Sequence, residues 1–464
     1  MIYPSTGRVI VKPCECRNSA PAHLDVVSGA ARPITSVDGA QIDSTIRHQA
    51  TAMRVRRVYS AAATLAIPGE RNAGYDPVEQ SVGLDRVLAV EISSPARAHQ
   101  LAQELTARDD VEWAMAEPLS HAPLRAAGLS HTFIKDSEQI DPDVLRRPFE
   151  QTQLFEALAL EPGSDHIRVG VVDTGAALQH EEFAGRIHQG VDTVDLGRGD
   201  LGDGVELVGD SEDPDSVAYD DTGHGTHVAG LIAARGEHVP PGAAGAASLV
   251  IARALAAARA PDGQIMGIGG TIDIDAAVKA AVDLGSRVLN LSFGTSEEDL
   301  PDAAPPVHLE SIGYALARGV IPVAAMGNSG RRERYFPAAI DGVIAVAAVD
   351  AHGHPSSFST RGDHAAVAAP GENLMSAGLV GYRYSTGTSH AAPLVAGTIA
   401  LMCARADRSG YSLTAEKVRS LLRAAAQPID APAEAVGAGL LNARGALERL
   451  DAEIQSHKES AYGR

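Results

Sequence analysis

Cysteine is nearly absent from this chain, with three in 464 residues, too few to build a disulfide framework. Cys14 and Cys16 flank Glu15 and would share one face of a strand. No second Cys/His pair at finger-like spacing accompanies them, which makes them weak candidates for a metal pair. Cys403 falls in an apolar helical run and reads as a buried small hydrophobe. Aromatic residues make up only 4%, while Ala and Val abound, a composition suited to close packing of helices on a sheet. Basic residues are in deficit, 39 Lys and Arg against 59 Asp and Glu for a formal charge of −20. That balance argues against a nucleic-acid partner. No apolar run approaches the roughly 20 residues that span a bilayer, so no membrane partner is expected. The opening MIYPSTGRVIVKP lacks a charged n-region followed by an apolar core. The expectation is a cytoplasmic protein, with secretion by an unrecognised route as the alternative.

What is present is globular and loop-rich: 45% hydrophobic residues, 46 glycines and 26 prolines. The length exceeds what one core usually fills, which predicts two folded units. Residues 1–120 read as a small α+β unit, with strands at Arg8–Lys12, Arg86–Ile92 and Val111–Ala116 and a helix over Ser94–Ala107. A polar, weakly patterned insertion fills about Pro13 to Gln80. Residues 121–147 look like a linker. Residues 148–450 alternate strand and helix, with near-continuous apolar strands at Ile167–Asp173, Leu249–Leu255, Arg287–Ser292, Val320–Ala325, Val343–Val349 and Ala365–Ala369. Helices over Ile272–Leu284 and Val307–Arg318 are each stopped by a glycine. This pattern predicts an α/β domain with a parallel sheet covered by helices on both faces, its site at the strand carboxyl ends. Residues 451–464 read as a polar, frayed tail.

Three stretches carry chemistry-bearing residues. Gly387-Thr-Ser389-His-Ala-Ala-Pro393 puts a serine at a helix N-terminus, where it is either a plain cap or a nucleophile facing unpaired N–H groups. Asp220-Asp-Thr-Gly-His224-Gly-Thr-His227 sets an imidazole between glycines at the start of a buried helix. Val171-Val-Asp173-Thr-Gly175 ends an apolar strand in an acid, which needs partners if buried. A histidine Nδ1–H would supply one. Acyl transfer by serine needs a base for its proton and an acid to fix the base's tautomer, and these turns provide all three types.

DTG at 173–175, HGTHVAG at 224–230 and GTSHAAP at 387–393, in the order Asp, His, Ser, resemble the subtilisin-like serine proteases. Val323-Ala-Ala-Met-Gly-Asn328-Ser-Gly330 is similar to that family's oxyanion segment, and Leu289-Asn-Leu-Ser-Phe-Gly294 to the strand that pairs with substrate. The resemblance covers roughly residues 150–450. It implies a serine endopeptidase working through an acyl-enzyme: Ser389 as nucleophile, His224 as proton shuttle, Asp173 as its orienting acid, and Asn328 with the Ser389 N–H as oxyanion donors. Ser292, Phe293, Gly294, Ala325, Met326 and Gly327 would line the cleft for a peptide or protein substrate. No cofactor is implied for the chemistry.

His227, one turn past His224, reads as a packed helper, and His390 stands where the family commonly has Met. Tyr335 falls near the family's pocket floor, where its bulk would favour small side chains. Glu182 resembles a family calcium carboxylate, which leaves a structural calcium ion open, although Arg235–Pro241 does not resemble a ligand loop. Between Asp192 and Asp221 lie eleven acids against Arg198 alone: a solvated insertion, a calcium site or a cleft rim for basic peptides. Residues 85–118 resemble the inhibitory propeptide of many such proteases, which implies a zymogen cut between about Leu119 and Arg147. The contrasting reading is a binding module kept capped by its own N-terminal unit.

Overall fold

A computed structural model describes residues 6–16, 18–122, 133–134, 142–197, 199, 201–202, 204–212, 217–300 and 305–462. The first unit is a four-stranded antiparallel sheet in the order Met53–Arg57, Leu88–Ile92, Arg8–Pro13, Val111–Ala116. Every residue of Arg8–Pro13 is buried, because this inner strand of the sheet is covered on both faces. Val9 and Val11 point into the unit's own core with helices Gln41–Gln49 and Ala98–Thr106, while Ile10, between them, packs with residues of the larger unit. This is the period of two expected of a strand. Arg8 and Lys12 lie on the Ile10 face and make ion pairs across the boundary, to Asp273 at 3.4 Å and Glu310 at 3.2 Å. The stretch expected to be an unpatterned insertion instead contains the edge strand Met53–Arg57 and three short helices.

The larger unit is built on a seven-stranded parallel sheet in the order Ala365–Pro370, Ile344–Val349, Ile321–Ala325, Val288–Leu291, Arg168–Asp173, Ser248–Arg253, Ile187–Asp192. Six of these strands are the apolar runs read from the sequence. The seventh, Ile187–Asp192, is a half-exposed edge with no apolar run to betray it. Helices Thr271–Asp283 and Leu309–Ala317 lie on the face that receives the N-terminal unit. His224–Ala233 and Thr388–Arg408 belong to the opposite core. Chain order reverses beside Arg168–Asp173, so the crevice at the carboxyl end of that strand is the expected place for a ligand.

Two segments differ from expectation. The tail is helical, since Ala443–Tyr462 continues through Asp451 with Leu450 and Ile454 buried and Asp451 paired to Arg405 at 2.8 Å; residues 463–464 lie outside the described residues. Within the expected linker, His121 still belongs to a strand, Leu119–His121, Phe133–Ile134 pairs with Tyr382–Arg383, and a helix spans Pro142–Gln151. The rest of that stretch, 123–132 and 135–141, lies outside the described residues. No helix among the described residues is long and apolar enough to cross a membrane.

Candidate active site

Asp173 ends the central strand with its carboxylate fully buried. Its Oδ1 accepts the Thr174 N–H at 2.7 Å and the His224 Nδ1–H at 2.7 Å. With Nδ1 protonated toward the acid, Nε2 is left as the acceptor nitrogen, and it has no hydrogen-bond partner. His224 opens the helix His224–Ala233. Gly225 permits this approach, since a Cβ there would lie 2.2 Å from the Gly175 carbonyl oxygen.

Ser389 is the second residue of helix Thr388–Arg408. Its hydroxyl donates to the Ser292 carbonyl at 3.2 Å, and the Ser292 hydroxyl donates to the Ser389 carbonyl at 2.8 Å. Gly387, just before the helix, has φ 152°, and a Cβ there would come 3.0 Å from Asn328 Nδ2. Only glycine suits both conditions. Asn328 is oriented by Thr388, whose N–H and hydroxyl donate to Asn328 Oδ1 at 3.0 and 2.9 Å. The amide nitrogen therefore faces the turn that carries Ser389.

A second tie was not read from the sequence. Asp220, one of the acids between residues 192 and 221, accepts from the Thr174 hydroxyl at 2.8 Å and from the Thr222 and Gly223 N–H groups at 2.9 Å each. Its other oxygen accepts the Thr226 N–H at 2.9 Å and hydroxyl at 2.6 Å. One carboxylate thus fastens the acid turn to the histidine turn. Its neighbours are also structural. Asp192 pairs with buried Arg253 at 2.6 Å, and Asp210 and Asp221 flank the same guanidinium at 3.5 and 3.3 Å. Burial pushes the Asp192 carboxyl up to about 6 against the pull of Arg253. Arg198, Asp200, Asp203, Asp213 and Asp215 lie outside the described residues.

The calcium comparison for Glu182 fails on its hydrogen bonds. Fully buried, it accepts the N–H groups of Gly236, Glu237 and His238 at 2.8, 3.1 and 2.9 Å, and the Tyr382 hydroxyl, nearer to Glu181 at 2.9 Å, lies 3.2 Å away. A carboxylate offers about four lone-pair directions, and three of them are taken by these N–H groups. The loop satisfies this carboxylate directly, leaving it no role as a cation ligand. Among the described residues no three His, Cys, Asp or Glu side chains group as a metal site. Cys14 is exposed with its thiol near the Asp109 carbonyl, and Cys403 is buried, its thiol pushed up to about 12 by desolvation.

His227 spans the carbonyls of Leu374 and Arg383 at 3.0 and 3.2 Å, and burial holds it well below the usual imidazole range. It is a neutral tie to the hairpin formed by Leu374–Ala377 and Tyr382–Ser385. His390 lies 2.6 Å from the Ser385 hydroxyl, its ring centroid 5.4 Å from His224 and 4.5 Å from His227. The Tyr335 ring lies between the cleft segments: a Cβ on Gly294 would be 2.4 Å from it and one on Gly327 3.1 Å. Phe293, Ala325 and Met326 send their side chains into the two cores beneath, offering only backbone to the cleft.

The opposite wall is Ile265–Gly270, a strand whose three glycines, at 267, 269 and 270, were the available signal of close backbone approach. Between the walls lies Leu119–His121. It pairs antiparallel with Ile268–Gly270, exchanges N–H···O bonds between His121 and Gly294 at 3.2 and 3.1 Å, and continues to an Ala122 N–H donated to Gly267 at 3.1 Å. Glu117, just before it, accepts the Ile272 N–H at 3.0 Å and so caps helix Thr271–Asp283.

A parallel sheet carrying a buried acid–imidazole pair and a serine in the first turn of a helix at its carboxyl edge defines the class, an α/β serine hydrolase. Residues 164–446 match the subtilase family. The chain is 32% identical over 334 residues to the major intracellular serine protease of Bacillus subtilis (strain 168), covering 70% of this chain and 96% of that protein. It is 34% identical over 263 residues to the thermophilic serine proteinase of Bacillus sp. (strain AK1), spanning 55% of this chain but only 58% of that relative's length. The solved prenylagaramide maturation protease PagA superposes with a TM-score of 0.52 at 27% identity, over 64% of this chain and 98% of that one. The chain belongs to the subtilase family of serine proteases, hydrolases of the subtilisin type.

Proposed function

We propose that the chain is a serine endopeptidase made as a zymogen, with residues 1–120 an intramolecular inhibitor. Ser389 Oγ leaves the Ser292 carbonyl and attacks the substrate carbonyl carbon while its proton passes to His224 Nε2. Asp173 holds the tautomer and stabilises the imidazolium. The tetrahedral oxygen gathers its charge between Asn328 Nδ2 and the Ser389 N–H at the helix N-terminus; a donor of this kind is typically worth about 10²–10³ in kcat. His224 then returns the proton to the leaving amine as the C–N bond breaks, and water releases the acyl group by the reverse path.

The observation that carries this reading is the chain's own strand Leu119–His121 lying as a substrate would between Ile265–Gly270 and Gly294. The likeness to a maturation protease favours a maturing polypeptide as substrate over bulk degradation. A second reading, a module never uncapped, draws support from the burial of ion pairs at the boundary, such as Lys279 with Glu79 at 2.7 Å, both inaccessible to solvent. A fluorophosphonate probe and a peptide substrate separate the two. The endopeptidase reading expects Ser389 to be labelled and peptide to be hydrolysed, both abolished in Ser389→Ala. Persistent absence of both in the wild type would favour the capped module.

A further inference from the structure

Beside the strand that fills the cleft lies a polar pocket that the reaction does not use. Ser120 points into it, its hydroxyl 2.7 Å from Thr295 Oγ1 and 3.4 Å from His308 Nε2. His308 Nδ1 lies 2.8 Å from Asp275 Oδ1, which also accepts the Ser311 hydroxyl at 2.7 Å. Tyr59 of the N-terminal unit donates to the other oxygen at 3.2 Å. With the N-terminal unit seated, Ser120, Thr295, His308 and Asp275 are 0, 1, 2 and 6% exposed, so a chain lying in the cleft shuts these groups off from bulk water. The Phe293 ring stands edge-on to the imidazole at 5.7 Å. His308 holds φ 68°, one of three described non-glycine residues at positive φ. That conformation is costly for a side chain and tends to persist where a function requires it.

The hydrogen bonds have a direction. With Nδ1–H donated to Asp275, His308 Nε2 carries a lone pair and only accepts. A hydroxyl in the pocket completes the chain, accepting from Thr295 and donating to Nε2. An alanine or leucine side chain leaves both pocket groups buried without a partner. A carboxylate cannot donate to Nε2 and sets a second negative charge near Asp275.

The register fixes where such a side chain stands in a substrate. His121 lies opposite Gly294 in an antiparallel bridge. Two residues further on, a substrate lies opposite Ser292, whose carbonyl is 3.2 Å from Ser389 Oγ. Counting back from there, the position of Ser120 is the fourth residue before the bond attacked. We infer that Thr295 and His308 select a serine or threonine at this fourth position, an inference that rests on the endopeptidase reading above.

The test is an internal competition. Two peptides identical except for Ser or Ala at the fourth position are mixed and cut by one preparation of the full chain, and a second mixture carries Thr against Leu. The ratio of rates equals the ratio of kcat/KM whatever fraction of the protein is uncapped. Leaving two buried groups unpaired predicts a preference of about tenfold or more for the hydroxyl, shrinking toward unity in Thr295→Val. If that variant fails to fold, the wild-type ratios still decide. Cleavage with equal rates, or with Leu or Ala preferred, would overturn the pocket assignment and leave the endopeptidase reading standing. No cleavage together with no fluorophosphonate labelling of Ser389 would overturn both.

Discussion

Replacing Asp220 by alanine asks whether one carboxylate sets the spacing of the acid and histidine turns. It removes the acceptor for six donors, three of them backbone N–H groups at the start of helix His224–Ala233. Loss of a helix cap costs about 1 kcal/mol, and each buried donor left unpaired costs about 1–3 kcal/mol. Asp220 is 8% exposed, so water can reach some of these groups, and a total near 3 kcal/mol is expected. At roughly 2–4 °C per kcal/mol for a domain of this size, melting should fall by about 6–12 °C. The effect on chemistry should be larger. The Thr222 hydroxyl accepts the His224 N–H at 3.0 Å, and the Thr174 hydroxyl accepts the Gly225 N–H at 2.9 Å; Asp220 holds both hydroxyls. A shift of about 1 Å in the imidazole can cost about 10²-fold. The assays are thermal melting and the second-order rate of fluorophosphonate labelling at Ser389. Asp220→Asn, which keeps one oxygen, should fall between. An alanine variant that melts and labels like the wild type would refute the reasoning.

Three further outcomes are expected. Glu182→Gln turns one acceptor into a donor facing the loop N–H groups of residues 236–238 and should lower the melting temperature by the same amount with and without a calcium chelator; a loss seen only when calcium is present would contradict the assignment. Burial at the boundary pushes Asp273 up to about 7 and His23 down to about 3. The raised acid makes docking of the N-terminal unit weaken as pH rises from about 4 to 7, and the depressed imidazole makes it weaken as pH falls below about 6.5. The two oppose, so affinity of the separated unit, measured by calorimetry, should vary little between about pH 4 and 6.5. In His23→Leu it should weaken by about 1.4 kcal/mol per unit of rising pH; a flat profile in that variant would contradict the pairing. Finally, Tyr335→Ala should shift cleavage from small toward large aromatic residues at the bond attacked, read by mass-spectrometric peptide profiling, and an unchanged preference would remove Tyr335 from the pocket floor.

Legibility in the sequence followed burial. Strands covered on both faces, such as Ile344–Val349, are apolar throughout and announce themselves, while Ile187–Asp192 is a largely polar, half-exposed edge and does not. The stretches around Asp173, His224, Asn328 and Ser389 were readable because each sets a reactive type in a glycine-rich turn after or before an apolar run. Asp220 was hidden among acids whose partners, Thr174 and Arg253, come from distant turns. Ser120 was hidden for a similar reason, because a lone serine says nothing until Thr295 and His308 are folded around it. Glu182 misled because a buried carboxylate beside a loop has the same sequence appearance whether N–H groups or a cation neutralise it.

The central claim, a protease that holds its own N-terminal unit in its cleft and removes it by its own chemistry, is tested most directly by intact mass. Wild type and Ser389→Ala are purified side by side and weighed. The account predicts that the wild type loses its N-terminal unit through a cut between Leu119 and Arg147 while the variant stays full length. If both stay full length, the unit is a lasting cap. If both are cut, another protease does the cutting, and self-processing is contradicted.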